Sequence, residues 1–377
     1  MKLRTIALTI HRSIGILLGL VLLVIGLTGS ALVFSREINS LLNPQLMQVV
    51  PQGERLSPEA VLNTVHSAFS DMELHSITLP RTSKEVYMVA LKSPKDEWID
   101  VSLNPYTGAI LGSQQWGHTL MSFILYIHMY MLMGEQVGYK FVGVCGLLLL
   151  ILVVSGLVIW PGWRNRIRGF RIRWKAPAPF LTYDFHKVVG FLAAAFLLVI
   201  ASTGAAMVFR SEFESATYWL THTPLPRSPV STLVAGQSPL QVAQILHRAD
   251  TTLREGKNTV VMLPHEANGV FEVYKKLPQD IDLYGLSKVY IDQYSGKVLQ
   301  VDNALKAPLA AQLNNLLLYL HNGAYGGLGM RCLYVLIGLV PSALLITGIF
   351  MWRNRRNRAK FDKPFRQGRR QEAEGRR

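Results

Sequence analysis

Four stretches of about 20 residues without a charged side chain, at 14–34, 141–160, 188–209 and 332–352, constrain this 377-residue chain more than any other feature. At 1.5 Å per helical residue each matches the hydrocarbon thickness of a bilayer, about 30 Å. All four therefore read as membrane spans. The first follows Lys2, Arg4 and Arg12, as a signal peptide would, but its apolar run is longer than a typical signal h-region. A near-copy recurs later as an internal span, so the first is expected to be a retained anchor.

Composition agrees with this reading. Half of the residues are hydrophobic and 17% are charged, which excludes a disordered chain. Two cysteines cannot build a disulfide scaffold or a four-cysteine metal site. The net charge of +15 raises nucleic acid as a partner, but the charge is localised. Segments 1–12, 161–187 and 353–377 hold 21 of the 39 Lys and Arg against four carboxylates. By the positive-inside rule these segments face the cytoplasm, and 36–135 and 211–325 lie outside. The Arg-rich tail then reads as a topology determinant and anionic-lipid contact, with no nucleic-acid partner.

The chain also repeats itself. His11-Arg-Ser-Ile-Gly15 matches His186-Lys-Val-Val-Gly190, and Thr28-Gly29 and Phe34 match Thr203-Gly204 and Phe209, all at an offset of 175. Asn104-Pro-Tyr-Thr-Gly108 resembles Asp292-Gln-Tyr-Ser-Gly296, and Tyr126-Ile-His128 matches Tyr319-Leu-His321. Ser155-Gly156 and Trp160 match Thr347-Gly348 and Trp352. Each half reads as helix, outer domain, helix, with the halves related by a pseudo-twofold axis along the membrane normal. Each outer domain is expected to be a small α+β unit. In the first, Ser57-Pro58 starts a helix, followed by strands at 86–91, 98–103 and 109–111. In the second, a helix covers 238–248 and strands cover 270–274, 288–291 and 298–301.

Four of the ten histidines combine a repeat partner with a place at or near a span: His11, His186, His128 and His321. An ionisable side chain there is costly without a partner or a function. The twofold pairs His11 with His186 near the cytoplasmic face, and His128 with His321 near the outer face. Haem iron takes two axial imidazoles, and helix bundles build such sites from facing helices, so one haem is expected near each face. The alternative is a set of duplicated interface residues capped by carbonyls or lipid phosphate. Every span carries Ser/Thr-Gly one turn before its exit aromatic. These glycines should lie opposite the histidines, either leaving room for a flat macrocycle or only packing helices closely. Because His128 lies 28 residues before Gly156, the chain must bend after it; short interfacial helices are expected at 118–133 and 312–323. His118 has no repeat counterpart. His66 and His247 read as solvated helix edges, and His75, His222 and His265 as loop residues. Cys145 and Cys332 read as packing residues.

The motif His11-Arg-x-x-Gly15 entering a span that ends Thr28-Gly29-x-x-Leu-x-Phe, its copy at His186, and the Asn-Pro-x-Thr-Gly turn resemble the PepSY-associated transmembrane-helix proteins, also called iron-regulated membrane proteins. The resemblance extends to about Arg358. It implies a four-transmembrane-helix bundle from an internal duplication with two small α+β PepSY-like periplasmic domains. In the siderophore-reductase branch it also implies two b-type haems, falling on His11, His186, His128 and His321 as axial ligands. The expected organisation is span one at 1–35, domain one at 36–117, interfacial helix and span two at 118–160, a basic loop at 161–185 and span three at 186–210. Domain two follows at 211–311, interfacial helix and span four at 312–352, and a basic tail at 353–377. The expected function is a bacterial inner-membrane, haem-dependent reductase of a ferric siderophore or other ferric chelate. A quinol or a cytoplasmic reductant would be its donor. The rival is a non-enzymatic membrane anchor whose outer domains bind or regulate a periplasmic protein. A transporter fits poorly, because the spans carry no carboxylate.

Overall fold

The structure, a computed structural model, describes residues 2–233, 236–280 and 282–374, with side chains from Leu3 to Arg356. Most of the basic tail predicted at 353–377 therefore lies outside the described side chains. The first half runs α1 (Lys2–Leu32), α2 (Ser35–Leu42), α3 (Pro44–Met47), α4 (Pro58–Ala68), β1 (Glu73–Thr78), β2 (Tyr87–Lys92), β3 (Trp98–Leu103), β4 (Ile110–Gln115), α5 (Leu120–Tyr130) and α6 (Glu135–Ile159). After α7 (Arg166–Phe170), the second half runs α8 (Ala178–Val208), α9 (Arg210–Leu220), α10 (Val242–Thr252), β5 (Lys257–Met262), β6 (Val270–Lys276), β7 (Ser287–Asp292), β8 (Val298–Asp302), α11 (Leu309–Asn322) and α12 (Gly327–Glu374).

Four of these helices are long and apolar enough to cross a membrane, spanning Leu3–Leu32, Glu135–Ile159, Ala178–Val208 and Ala324–Arg356. They form a four-cornered bundle in which α1 packs on α6 and α12, and α8 packs on the same two. Helices α1 and α8 are thus diagonal partners that face each other across the bundle axis. The α1–α12 seam is close: Gly26 and Gly338 lie against each other, and Ser30 Oγ donates to the Val335 carbonyl at 2.9 Å.

The short helices α5 and α11 fold back onto the spans. Helix α5 opens with a capping box in which Thr119 and Ser122 satisfy each other's backbone N–H groups. It ends where Met131 and Leu132 take left-handed φ values of 49° and 60° and Gly134 follows at 77°. A side chain at Gly138 would strike the Tyr130 carbonyl, so the α5–α6 hairpin requires glycine there. Helix α11 ends at Gly323, φ 75°.

The two outer segments do not form separate units. Their strands join into one eight-stranded antiparallel sheet in the order β4-β3-β2-β1-β5-β6-β7-β8. The seam is the β1–β5 pairing, with Ile77 opposite Val261. Helices α4 and α10 cover one face of the whole sheet, and Val61, Val65, Ile77, Ile245, Val261 and Val273 belong to a single buried core. Strands β1 and β5 are not among the strands expected from the sequence, and it is through them that the two outer segments share one sheet. Glu73–Thr78 and Lys257–Met262 mix polar and apolar residues and give no clean alternation. Their partners in the sheet make them strands. The expected helix at 238–248 begins instead at Val242, where Gln241 and Gln244 form a capping box.

Both predicted turns are present. Asn104 Oδ1 accepts from the Tyr106 N–H at 2.9 Å, Asp292 Oδ1 accepts from the Tyr294 N–H at 3.0 Å, and Gly108 and Gly296 supply φ of 72° and 68°. Gln293, standing where the first turn has Pro105, donates its side-chain amide to the Glu266, Ala267 and Gly269 carbonyls.

On the face away from α4 and α10, Asp100 lies between Ala90 and Gln114. Burial pushes its carboxyl up to about 6. Its protonated form is favoured by folding, so the stability gained is full below about pH 4 and is lost as the pH rises through about 6. Asp100→Asn should stabilise the sheet at pH 7.5 by about 2 kcal/mol and flatten the gain between pH 7.5 and 4.5. Thermal unfolding in detergent at several pH values reads this; superimposable wild-type and variant profiles would refute it.

Candidate functional site

The bundle gathers the four singled-out histidines into two facing pairs. His11 on α1 and His186 on α8 lie at the end that carries the 161–177 loop, with ring centroids 6.3 Å apart. His128 on α5 and His321 on α11 lie at the sheet end, with centroids 6.2 Å apart. Measured along α1, the pairs are separated by about 25 Å, on the order of a bilayer's thickness.

Each imidazole is held by the same device. His11 Nδ1 meets the Leu152 carbonyl at 2.9 Å and Ser155 Oγ at 3.2 Å. His128 Nδ1 meets the Ile25 carbonyl and Thr28 Oγ1, both at 3.0 Å. His321 Nδ1 meets the Ile200 carbonyl at 2.9 Å and Thr203 Oγ1 at 3.2 Å. His186 Nδ1 meets Thr347 Oγ1 at 2.8 Å, with the Leu344 carbonyl beside it. A carbonyl only accepts, so Nδ1 must be the nitrogen that carries the proton. The Ser and Thr hydroxyls donate to their own helix carbonyls, such as Thr28 to Val24 at 2.7 Å and Ser155 to Leu152 at 2.9 Å. They therefore also accept from Nδ1–H. Nε2 is left as the lone-pair nitrogen in all four rings, and among the described residues it has no hydrogen-bond partner.

The glycines explain how the rings approach so closely. An added Cβ would lie 3.0 Å from His128 Cε1 at Gly29, 3.1 Å from His11 at Gly156 and 2.9 Å from His321 at Gly204. At Gly348 it would stand 3.8 Å from His186. The space beside each Ser/Thr-Gly is thus occupied by the imidazole itself. The sequence reading gave it to a macrocycle or to helix packing alone; the ring fills it.

At centroid separations of 6.3 and 6.2 Å the rings of each pair meet edge to face. A separation of this order also has room for an ion bonded to one nitrogen of each ring, at about 2 Å per bond. Among the described residues no group of three or more His, Cys, Asp or Glu side chains converges on a metal-binding point. Two imidazoles can serve an ion only if its other ligands arrive with it.

The pair at the loop end opens into a cavity of about 740 Å³. Its walls are apolar, including Leu152, Leu197, Leu344 and Leu345, and it is bordered by Arg4, Arg12, Arg173, Lys187 and Arg355. Two of these cations are fixed by the buried Asp184, which takes Arg173 Nε at 2.7 Å and Lys187 Nζ at 2.8 Å. The sequence reading treated these cations only as orientation signals.

The other histidines lie elsewhere. His118 is exposed beside a separate cavity of about 430 Å³ lined by Leu46 and Gln114. His66, His247 and His222 are exposed. His75 lies on β1 and not in a loop, because Glu73–Thr78 pairs with β2, whereas His265 is in the loop after β5. They stack at 4.4 Å near the β1–β5 seam, with His265 bonded to Glu73 at 2.8 Å. No sequence signal joined them, because each half supplies only one of the two. Cys145 is buried in the bundle core and Cys332 is exposed.

A family model described as the PepSY-associated TM region matches residues 8–355. A search among curated proteins returns no significant match. The geometry generates a graded expectation. Gly29→Ala, Gly156→Ala and Gly204→Ala should each cost about 1–3 kcal/mol by displacing an imidazole, whereas Gly348→Ala should be close to neutral. Melting temperatures of the four purified variants test this, and equal losses at all four positions would contradict it.

Proposed function

The chain belongs to the PepSY-associated TM family of multi-pass membrane proteins, and from that premise we propose that it is a di-haem inner-membrane reductase. It would pass electrons across the membrane to a periplasmic ferric siderophore or other ferric chelate, so that iron is released for uptake. In this reading the chain arose by internal duplication and its sheet is a pair of fused PepSY-like periplasmic domains. The loop end, both termini included, is cytoplasmic, as the concentration of positive charge there supports.

The observation that carries the proposal is the pair of facing imidazoles at each end, with all four Nε2 atoms available and the centroids 6.3 and 6.2 Å apart. A tetradentate macrocycle would bring the ligands that a two-histidine site lacks. His11 with His186, and His128 with His321, would hold one b-type haem each. When bound, haem supplies an iron that cycles between ferric and ferrous states one electron at a time. The chain's own groups do the rest. Nδ1–H bonds to helix carbonyls fix each ring's tautomer and aim, and raise the basicity of Nε2. The apolar cavity walls exclude water from the loop-end site. Arg4, Arg12, Arg173 and Lys187 supply positive charge for acidic substituents of the group held there. Reduction of a ferric chelate to its ferrous form weakens binding by hard oxygen donors, which frees the metal. The electrons come from a quinol or a cytoplasmic reductant.

The visible spectrum of the protein, purified after expression with ample haem, decides the matter. A reducible Soret band with about two haems per chain is expected. His11→Ala and His321→Ala should each lose about one haem. A colourless protein, or full haem retention in both variants, would overturn the proposal; colourless protein that captured a periplasmic partner would favour the anchoring-module reading. Orientation has its own test: cysteines placed at Trp174 and Gln300 in a cysteine-free background should be labelled by an impermeant thiol reagent from opposite sides of the membrane. Labelling from one side would refute the assignment.

A further inference from the structure

A side-chain bond two residues before His321 ties the sheet layer to the helix that carries this histidine. Tyr319 on α11 is buried, and its hydroxyl donates to the Asp282 carboxylate at 2.6 Å. Asp282 belongs to the connection between β6 and β7, and its surroundings are themselves braced. Lys276 Nζ donates to the Asp280 and Asp282 carbonyls at 2.6 and 2.5 Å. The Tyr284 N–H donates to Asp282 Oδ1 at 2.6 Å.

The bracing continues into the other half of the chain. The Arg81 guanidinium lies over the Tyr284 ring, 5.5 Å from its centre. Arg81 is paired with Glu85, and Glu85 also takes Arg36 at 3.2 Å, just beyond the end of α1. A series of contacts, one of them through the Tyr284 backbone N–H, therefore links Arg36 beyond α1 to Tyr319 on α11.

The corresponding place in α5 is built differently. Tyr126, two residues before His128, packs its ring on Tyr130 at 4.9 Å, and among the described residues no carboxylate is bonded to it. A buried tyrosine hydroxyl needs some acceptor simply to avoid the cost of desolvation. Position separates Tyr319 from that ordinary case. It lies in the last turns of α11, which stops at Gly323 directly after His321. Near that end, the His321 bonds to Ile200 and Thr203 secure the helix to α8, and the Tyr319 bond secures it to the sheet.

We propose that Tyr319 is a positioning residue for His321: its bond to Asp282 makes the height and rotation of α11, and so the placement of the His321 ring opposite His128, depend on the β6–β7 connection of the sheet. The geometric claim stands by itself; its consequence, that the sheet layer tunes the electron site beneath it, rests on the di-haem reading. A ligand that draws the β6–β7 connection toward itself would alter the sheet-end site and leave the loop-end site untouched. Among the described residues α5 has no such tie to the sheet through Tyr126, so the control is one-sided.

The test compares the wild type with Tyr319→Phe, Asp282→Asn and the control Tyr126→Phe, all as full-length purified protein. Amide hydrogen exchange over the last turns of α11 should accelerate by about tenfold in Tyr319→Phe and Asp282→Asn, with α5 unchanged. In haem-loaded protein, a redox titration should show one of two midpoint potentials displaced in these variants and neither displaced in Tyr126→Phe. Unchanged exchange in α11 overturns the inference whether or not haem is present. Two haems with potentials unmoved in Tyr319→Phe and Asp282→Asn overturn the tuning claim and leave the reductase reading standing. Wild-type protein without haem defeats the reductase reading, while the exchange result still decides the positioning claim.

Discussion

A helix carbonyl can accept a hydrogen bond but never donate one, and the arrangement of the bundle interior follows from that asymmetry. Leu152, Ile25 and Ile200 each present a carbonyl to an imidazole Nδ1, and Leu344 lies in the same relation to His186. Each is three residues before a Ser or Thr whose hydroxyl is already spent on its own helix. The rings have one permitted tautomer, with the proton on Nδ1 and the lone pair on Nε2. Approach this close requires that the next residue have no side chain, which is why Gly29, Gly156 and Gly204 sit against imidazole Cε1 atoms. Tautomer, aim and spacing are thus set together by a three-part notch of carbonyl, hydroxyl and glycine.

The notches meet only because of how the helices are placed. Diagonal placement of α1 and α8 puts His11 and His186 across the bundle axis from each other. The sheet-end pair needs a second device, since α6 and α12 run away from the sheet after their connecting turns. Left-handed residues at Met131 and Leu132 and the glycine at 323 fold α5 and α11 back, so that their histidines reach notches on α1 and α8. Over this end lies a single sheet whose seam binds the two halves. The two halves of the sheet are joined through the pairing of β1 with β5.

Charge has two roles at the opposite end. Arg173 and Lys187 contribute to the positive balance that orients a membrane chain, and both also border the cavity beside His11 and His186. Buried Asp184 separates these roles: by holding Arg173 and Lys187 it turns mobile surface cations into fixed elements of the cavity rim. In the sequence the loop is a statistical excess of charge; in the fold it is a wall with particular residues at particular places.

Much of this was legible in the residues alone. The four spans, the bends after His128 and His321, the Asx turns at Asn104 and Asp292, and the apposition of Ser/Thr-Gly with histidine all follow from local pattern and helical rise. Such features depend on neighbours in the chain or on length, and both are written in sequence. What the sequence could not decide were relations between distant segments with no local signature. Strands β1 and β5 are placed by pairing with β2 and β6 as well as with each other, His75 and His265 stack because the seam brings them together, and Tyr319 finds Asp282 across 37 residues. The nitrogen that carries each histidine's proton was likewise undecided, because it depends on a carbonyl in another helix. The sequence determined which residues stand in a membrane and which of them are chemically equipped; only the tertiary structure decided which atoms of those residues face one another, because hydrogen-bond direction is a property of the assembled pair.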